Sequence, residues 1–132
     1  MGLYDAAMIK ENHIAWTDNL KNAVQNIRLN SPFTTHIIIE AENIDQAKEA
    51  VLAGADSVLL DELSPEIIKK NVQELRELSI NSLQKEVNKN LIIEVSGINP
   101  QEISKYLIKG IDLISTSSST VSYTHLTLPT KA

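Results

Sequence analysis

HIIIEAENIDQAKEAVLAGADSVLLD, residues 36–61, decides the fold. Its first six residues, His36 to Ala41, form a short β-branched run of the kind that favours a strand. Asn43 then offers a helix cap, with Gln46 three positions on, as in a capping box. Ile44, Ala47, Ala50 and Val51 recur at helical spacing. Gly54 is placed to stop the helix in a left-handed conformation. Ser57 to Asp61 is a second apolar run ending in a carboxylate. Both strands are nearly continuous in apolar residues, which predicts burial on both faces and parallel pairing through the intervening helix.

The same alternation continues outward. Met8 and Ile9 read as the apolar end of an earlier strand. Thr17 to Leu29 suits a helix that ends before Pro32. Beyond Asp61, Ser64 and Pro65 open a helix as cap and first residue. Its residues Ile67, Ile68, Val72, Leu75 and Leu78 keep to one face, with a break expected near Ser79–Ser82. Leu91 to Ser96 is strand-like, NPQEISKYLIKG (99–110) reads as a capped helix closed by Gly110, and Ile111 to Thr116 is the next strand. Serial βαβ units predict an α/β fold. A doubly wound sheet and part of a (β/α) barrel both satisfy the pattern. A whole barrel takes about 250 residues, so the 132 residues here would supply part of one. No internal repeat beyond the alternation is evident.

Composition narrows the function classes. With no cysteine, there is no disulfide framework, thiolate metal site or cysteine nucleophile. The net charge of -5 disfavours nucleic acid, whose phosphates need clustered Lys and Arg. Arg28 and Arg76 are the only arginines, which is sparse for an enzyme of anionic substrates. No secretory pattern or bilayer-length apolar run is present. The expectation is a soluble, cytoplasmic protein with no membrane or nucleic-acid partner.

Polar residues fall at strand ends. Glu40, with Glu42 beyond it, ends one strand and Asp61 the next. Glu94 lies inside LIIEVSG (91–97), which closes on Ser96 and Gly97. In parallel α/β folds the carboxyl ends of strands form the ligand face. Glu40 and Asp61 on adjacent strands can hold a divalent cation with water or accept hydrogen bonds from sugar hydroxyls. Ser96-Gly97 can present N–H groups to a phosphate, and Lys10 in MIKENHI (8–14) can pair with an anion. Taken singly, each has a plainer reading: Asp61 before a turn, Glu40 at a solvated strand end, Lys10 on the surface, His13 as a structural histidine. Their serial placement at strand ends favours the functional one.

GLYDAAMIKENHI (2–14), IIIEAENIDQAKEAVLAGADSVLLD (37–61) and EVSGINPQEISKYLIKGIDLIS (94–115) together resemble quinolinate phosphoribosyltransferase, also called nicotinate-nucleotide pyrophosphorylase (carboxylating). The likeness implies synthesis of nicotinate mononucleotide, pyrophosphate and CO2 from quinolinate and phosphoribosyl pyrophosphate, on the route to NAD. It also implies Mg2+ and a homodimer or larger homo-oligomer. On this resemblance Lys10 holds the anionic substrates and Glu40 and Asp61 are the acidic pair at the ribose and metal. Ser96 and Gly97 begin the phosphate loop, with Asn12 and His13 in support. Lys10, Glu40 and Asp61 are the expected catalytic set.

Several features depart from the family pattern. Met1 stands one residue after the place of a His-Arg pair, so the chain reads as starting late. Arg28 and Arg76 lie on predicted helices and do not replace the absent cations. The Ser-Gly loop is one residue shorter than the usual Ser-Gly-Gly form, and Glu62 stands where Asn is usual. TSSSTVSYTHLTLPTKA (116–132) continues no family feature. The expected division is a partial barrel over residues 1–120 and a non-native tail over 121–132. The expectation is therefore an interior fragment, inactive alone. The competing readings are a non-catalytic phosphate-binding or assembly fragment, and a different phosphate-binding barrel enzyme.

Overall fold

The structure, a computed structural model, describes residues 6–10, 16–32, 34–81, 90–116 and 120–122. Its elements run β1 (Ala6–Ile9), α1 (Trp16–Asn30), β2 (His36–Ala41), α2 (Ile44–Ala53), β3 (Ser57–Asp61), α3 (Pro65–Asn81), β4 (Ile92–Ile98), a 3₁₀ helix (Pro100–Tyr106), β5 (Leu113–Thr116) and β6 (Thr120–Ser122). The strands form one sheet in the order β1-β2-β3-β4-β5-β6. The first four pairings are parallel and β5–β6 is antiparallel.

Strand order separates the two architectures. A doubly wound sheet reverses its order at a switch point. Here every strand pairs with its neighbour in sequence, so the sheet is an arc of a (β/α) barrel. Neighbouring helices pack against one another, α1 on α2 and α2 on α3. Strand alternation turns Ile37, Ile39, Val58, Leu60, Ile93, Val95 and Ile114 to this helical side, where each is fully buried. The helices answer with Leu20 and Val24, with Ala47, Ala50 and Val51, and with Ile68, Val72 and Leu75, at three- and four-residue spacings. Ile67, expected on that face, is instead exposed.

The local signals explain the element ends. The Asn43 side chain accepts from the Gln46 N–H at 2.8 Å, and Gln46 Oε1 accepts from the Glu42 N–H at 2.8 Å. Gly54 takes φ 104 and closes α2 through its N–H. Ser64 Oγ accepts from the Ile67 N–H at 3.3 Å ahead of α3. α3 runs unbroken to Asn81, within the region where a break was expected. The segment expected as a helix over 99–110 forms a 3₁₀ helix, Pro100–Tyr106. Its inward residues, Ile103 and Tyr106, are three apart, the repeat of a 3₁₀ turn. The Tyr106 hydroxyl donates to Leu63 O at 2.8 Å, anchoring the segment over the β3–α3 connection.

A repeat invisible in the residue pattern appears in the hydrogen bonds. Asp56, just before β3, accepts from the Ile37 N–H at 2.8 Å and from Arg28 at 3.1 Å. Asp112, just before β5, accepts from the Ile93 N–H at 2.9 Å and from Arg76 at 2.5 Å. Arg28 also donates to Thr35 O and Gly54 O, and Arg76 to Leu91 O and Gly110 O. Leu91, Ile93, Gly110 and Asp112 follow Thr35, Ile37, Gly54 and Asp56 by one constant offset. The caps Asn43 and Asn99 keep it too. The β2–β3 and β4–β5 units are therefore two copies of one design, each clamped at the amino ends of its strands. At the carboxyl ends, the same offset sets Ser96 where the first copy has Glu40.

Candidate functional site

The strand face opposite the helices carries the candidate residues. Along β2, β3 and β4 the burial alternates, and Glu40, Asp61, Glu94 and Ser96 all fall on the half-buried face. Register fixes their rows. Glu40 pairs with Leu59, and Leu59 with Glu94, while Asp61 pairs directly with Ser96 in the row above. Lys10 follows the end of β1, beside β2, and is exposed. The structure thus brings Lys10, Glu40, Asp61, Ser96 and Gly97 to one edge of one face.

Their charges interact. The Glu40 carboxyl is held above its ordinary range, first by burial and then by the neighbouring negative charge of Asp61; Lys10 pulls the other way, and Glu42 adds to the rise. Asp61 also accepts from the Ser96 hydroxyl at 3.2 Å. The Ser96 carbonyl accepts from the Glu62 N–H at 3.1 Å, extending the β3–β4 ladder one step past Asp61.

That step has an unusual backbone. Glu62 takes φ 58, the one non-glycine residue among the described residues with positive φ. Opposite it, Gly97 has φ 73. A Cβ on Gly97 would lie 2.8 Å from Glu62 Cγ and 3.4 Å from Asp61 Oδ1. Glycine is therefore demanded twice, by its dihedral and by the side chain lying over it.

Other expectations resolve individually. Glu94 faces the open side of the sheet and is paired, accepting a hydrogen bond from Ser115 Oγ. Arg28 and Arg76 serve the clamps at the opposite strand ends, so they do not supply cations to this edge. Asn12 and His13 lie outside the described residues. So do residues 123–132, and the expected boundary at 120 falls within β6. Sequence reasoning did not find the contact between Ser115 and Glu94, nor that between Glu62 and Gly97; both depend on how neighbouring strands are aligned. It also missed His36 Nε2 at 2.6 Å from Ser57 Oγ, lower on the same face.

Among the described residues no three or more His, Cys, Asp or Glu side chains are grouped to hold a metal ion. The offer to a cation is two carboxylates, Glu40 and Asp61. Two grooves lie on the helical side, one between α3 and the 3₁₀ helix and one between α1 and α2; neither is lined by the strand-end residues. No described helix is long and apolar enough to cross a membrane.

Comparison with known proteins bears on what this edge does. Residues 1–129 match the family described as quinolinate phosphoribosyl transferase, C-terminal domain. A curated protein of Methanothermobacter thermautotrophicus, named probable nicotinate-nucleotide pyrophosphorylase [carboxylating], is 41% identical over 114 residues. That alignment covers 86% of this chain and 38% of the relative. The nicotinate-nucleotide pyrophosphorylase [carboxylating] of Dictyostelium discoideum is 32% identical, over 99% of this chain and 41% of its own length. The solved structure of NadC from Streptococcus pyogenes is 31% identical with a TM-score of 0.66, covering 87% of this chain and 38% of that one. The chain thus spans about two fifths of the length of the curated relatives it matches.

Proposed function

Since the chain belongs to the quinolinate phosphoribosyltransferase C-terminal domain family, we propose that it carries the ribose- and pyrophosphate-facing part of a carboxylating nicotinate-nucleotide pyrophosphorylase. The whole protein would make nicotinate mononucleotide, pyrophosphate and CO2 from quinolinate and phosphoribosyl pyrophosphate, in the cytoplasm and as a homodimer or larger homo-oligomer. The observation that carries this reading is the convergence of Lys10, Glu40 and Asp61 at the carboxyl ends of adjacent strands, where the charges of Asp61 and Lys10 both act on the Glu40 carboxyl.

The chemistry suits those residues. Departure of pyrophosphate leaves positive charge on the ribose, which carboxylates placed in advance stabilise. Glu40 and Asp61 are the groups for that role, and the Ser96 hydroxyl orients Asp61. Lys10 contributes a compact positive charge toward the anionic substrates. Ser96 and Gly97, expected to begin the phosphate loop, lie within β4, which runs on to Ile98; they would meet a phosphate from the strand end.

Mg2+ fits the same pair. It binds through one or two carboxylates and completes its shell with water and substrate phosphates, without a cage of protein ligands. Glu40 and Asp61 would hold it; burial raises the Glu40 carboxyl most and repulsion from Asp61 adds to it, and a divalent cation relieves that repulsion. When bound it would supply positive charge to the pyrophosphate oxygens.

The 132-residue chain is expected to bind substrate without turnover. An assay for nicotinate mononucleotide, with purified chain, both substrates and Mg2+, should show no more product than a Lys10→Ala control. Product above that control overturns the expected inactivity. Absence of any phosphoribosyl pyrophosphate binding overturns the site assignment. The division at residue 120 belongs to the same proposal, with 121–132 as a non-native tail. An uninterrupted native reading frame through those residues, in the DNA of the source, would contradict it.

A further inference from the structure

We infer that Glu62 is a specificity-determining residue that occupies the anion side of the site and competes with phosphate for Ser96 and Gly97, at the irregular end of β4. The inference rests on the reading of that strand end as a phosphate site. Three observations place Glu62 there. Its N–H is bound to the Ser96 carbonyl at 3.1 Å, which ties its backbone to the end of β4. Its φ of 58 belongs to the left-handed region. Its Cγ lies 2.8 Å, and its Oε2 3.5 Å, from the Cβ position of Gly97. The carboxylate therefore lies against the glycine whose lack of a side chain leaves the backbone open.

The neighbouring donor is engaged as well, because the Ser96 hydroxyl is given to Asp61 at 3.2 Å. An arriving phosphate meets a strand end whose hydroxyl points at one carboxylate and whose glycine lies under another. Both Glu62 and Gly97 are exposed, so the side chain can swing away without disrupting the core. Repulsion from Glu62 grows with the negative charge of the arriving group, so a highly charged phosphate is penalised more than a weakly charged one unless a cation accompanies it. The consequence is discrimination by charge.

The test is calorimetric titration of the purified chain with inorganic pyrophosphate in the presence of Mg2+, beside Glu62→Gln, Glu62→Ala and Glu66→Gln. Glu62→Gln keeps the bulk and removes the charge. Pyrophosphate affinity is expected to tighten about fivefold, the size of losing one like charge a few ångström away in a largely aqueous setting. Glu62→Ala should tighten it at least as much. Glu66→Gln, which removes an equal charge in the first turn of α3, should change little. Equal affinity in the chain and Glu62→Gln overturns the inference while leaving the phosphate site standing. Equal tightening in Glu66→Gln also overturns it, as a general charge effect. No pyrophosphate binding to any of the four proteins overturns the phosphate-site reading and this inference together.

Discussion

Arg28 and Asp56 meet at 3.1 Å at the amino end of β3, and the contact is made again by Arg76 and Asp112 before β5. Each aspartate also takes a strand N–H, from Ile37 or Ile93. These clamps sit at the opposite end of the sheet from Glu40 and Asp61. In α/β barrels that end serves stability while the carboxyl end serves chemistry.

The two clamps should differ in worth. The Asp56 side chain is 8% exposed and that of Asp112 is 38% exposed. Asp56→Ala is expected to cost about 2–3 kcal/mol, because it strands a buried N–H and a guanidinium. Asp112→Ala should cost about 1 kcal/mol, since water can replace the lost partner. Urea unfolding of both variants measures this. An equal loss in the two would contradict the argument from burial.

Glu40 should make the fold less stable as pH rises. Its carboxyl is raised in the folded state, by burial and then by Asp61, so ionising it there is harder than in the unfolded chain. Stability is fully retained below the ordinary Glu range and declines as pH climbs through the raised value. Glu40→Gln should therefore melt at a higher temperature than the unsubstituted chain at pH 7, and the gain should fade toward pH 4. A melting series across that interval shows it; a constant difference at every pH would contradict the assignment.

Glu62 and Gly97 should be energetically coupled. Gly97→Ala is expected to cost about 1–3 kcal/mol, from its left-handed dihedral and from the contact with Glu62 Cγ. In Glu62→Ala the contact is relieved and only the dihedral cost remains. A double-mutant cycle read by chemical denaturation should give a coupling of at least about 0.5 kcal/mol. Strict additivity would show that Glu62 does not lie over Gly97.

Much of the fold was legible because its signals are local. Asn43, Gln46, Gly54, Ser64 and Pro65 each act within one turn of chain and each does what its chemistry predicts. The strand-end placement of Glu40, Asp61 and Ser96 followed from strand limits and parallel order alone. What escaped depends on contacts between distant segments. Glu62 reaches Gly97 only through the β3–β4 register. The clamp repeat left Gly-x-Asp at 54–56 and 110–112 and the caps Asn43 and Asn99 as a faint trace, because the arginines sit on helices joined by connections of different length. The capped helix expected over 99–110 is shorter and of the 3₁₀ kind, Pro100–Tyr106, because Ile103 and Tyr106 fit either helical period until their burial is known.

The most direct test is calorimetric titration of the chain with phosphoribosyl pyrophosphate, with and without Mg2+, alongside Asp61→Asn. The account predicts Mg2+-dependent binding that weakens at least tenfold in Asp61→Asn while the fold, read by circular dichroism, persists. Binding that ignores both Mg2+ and the substitution would contradict the assignment of Glu40 and Asp61 to the ribose and metal.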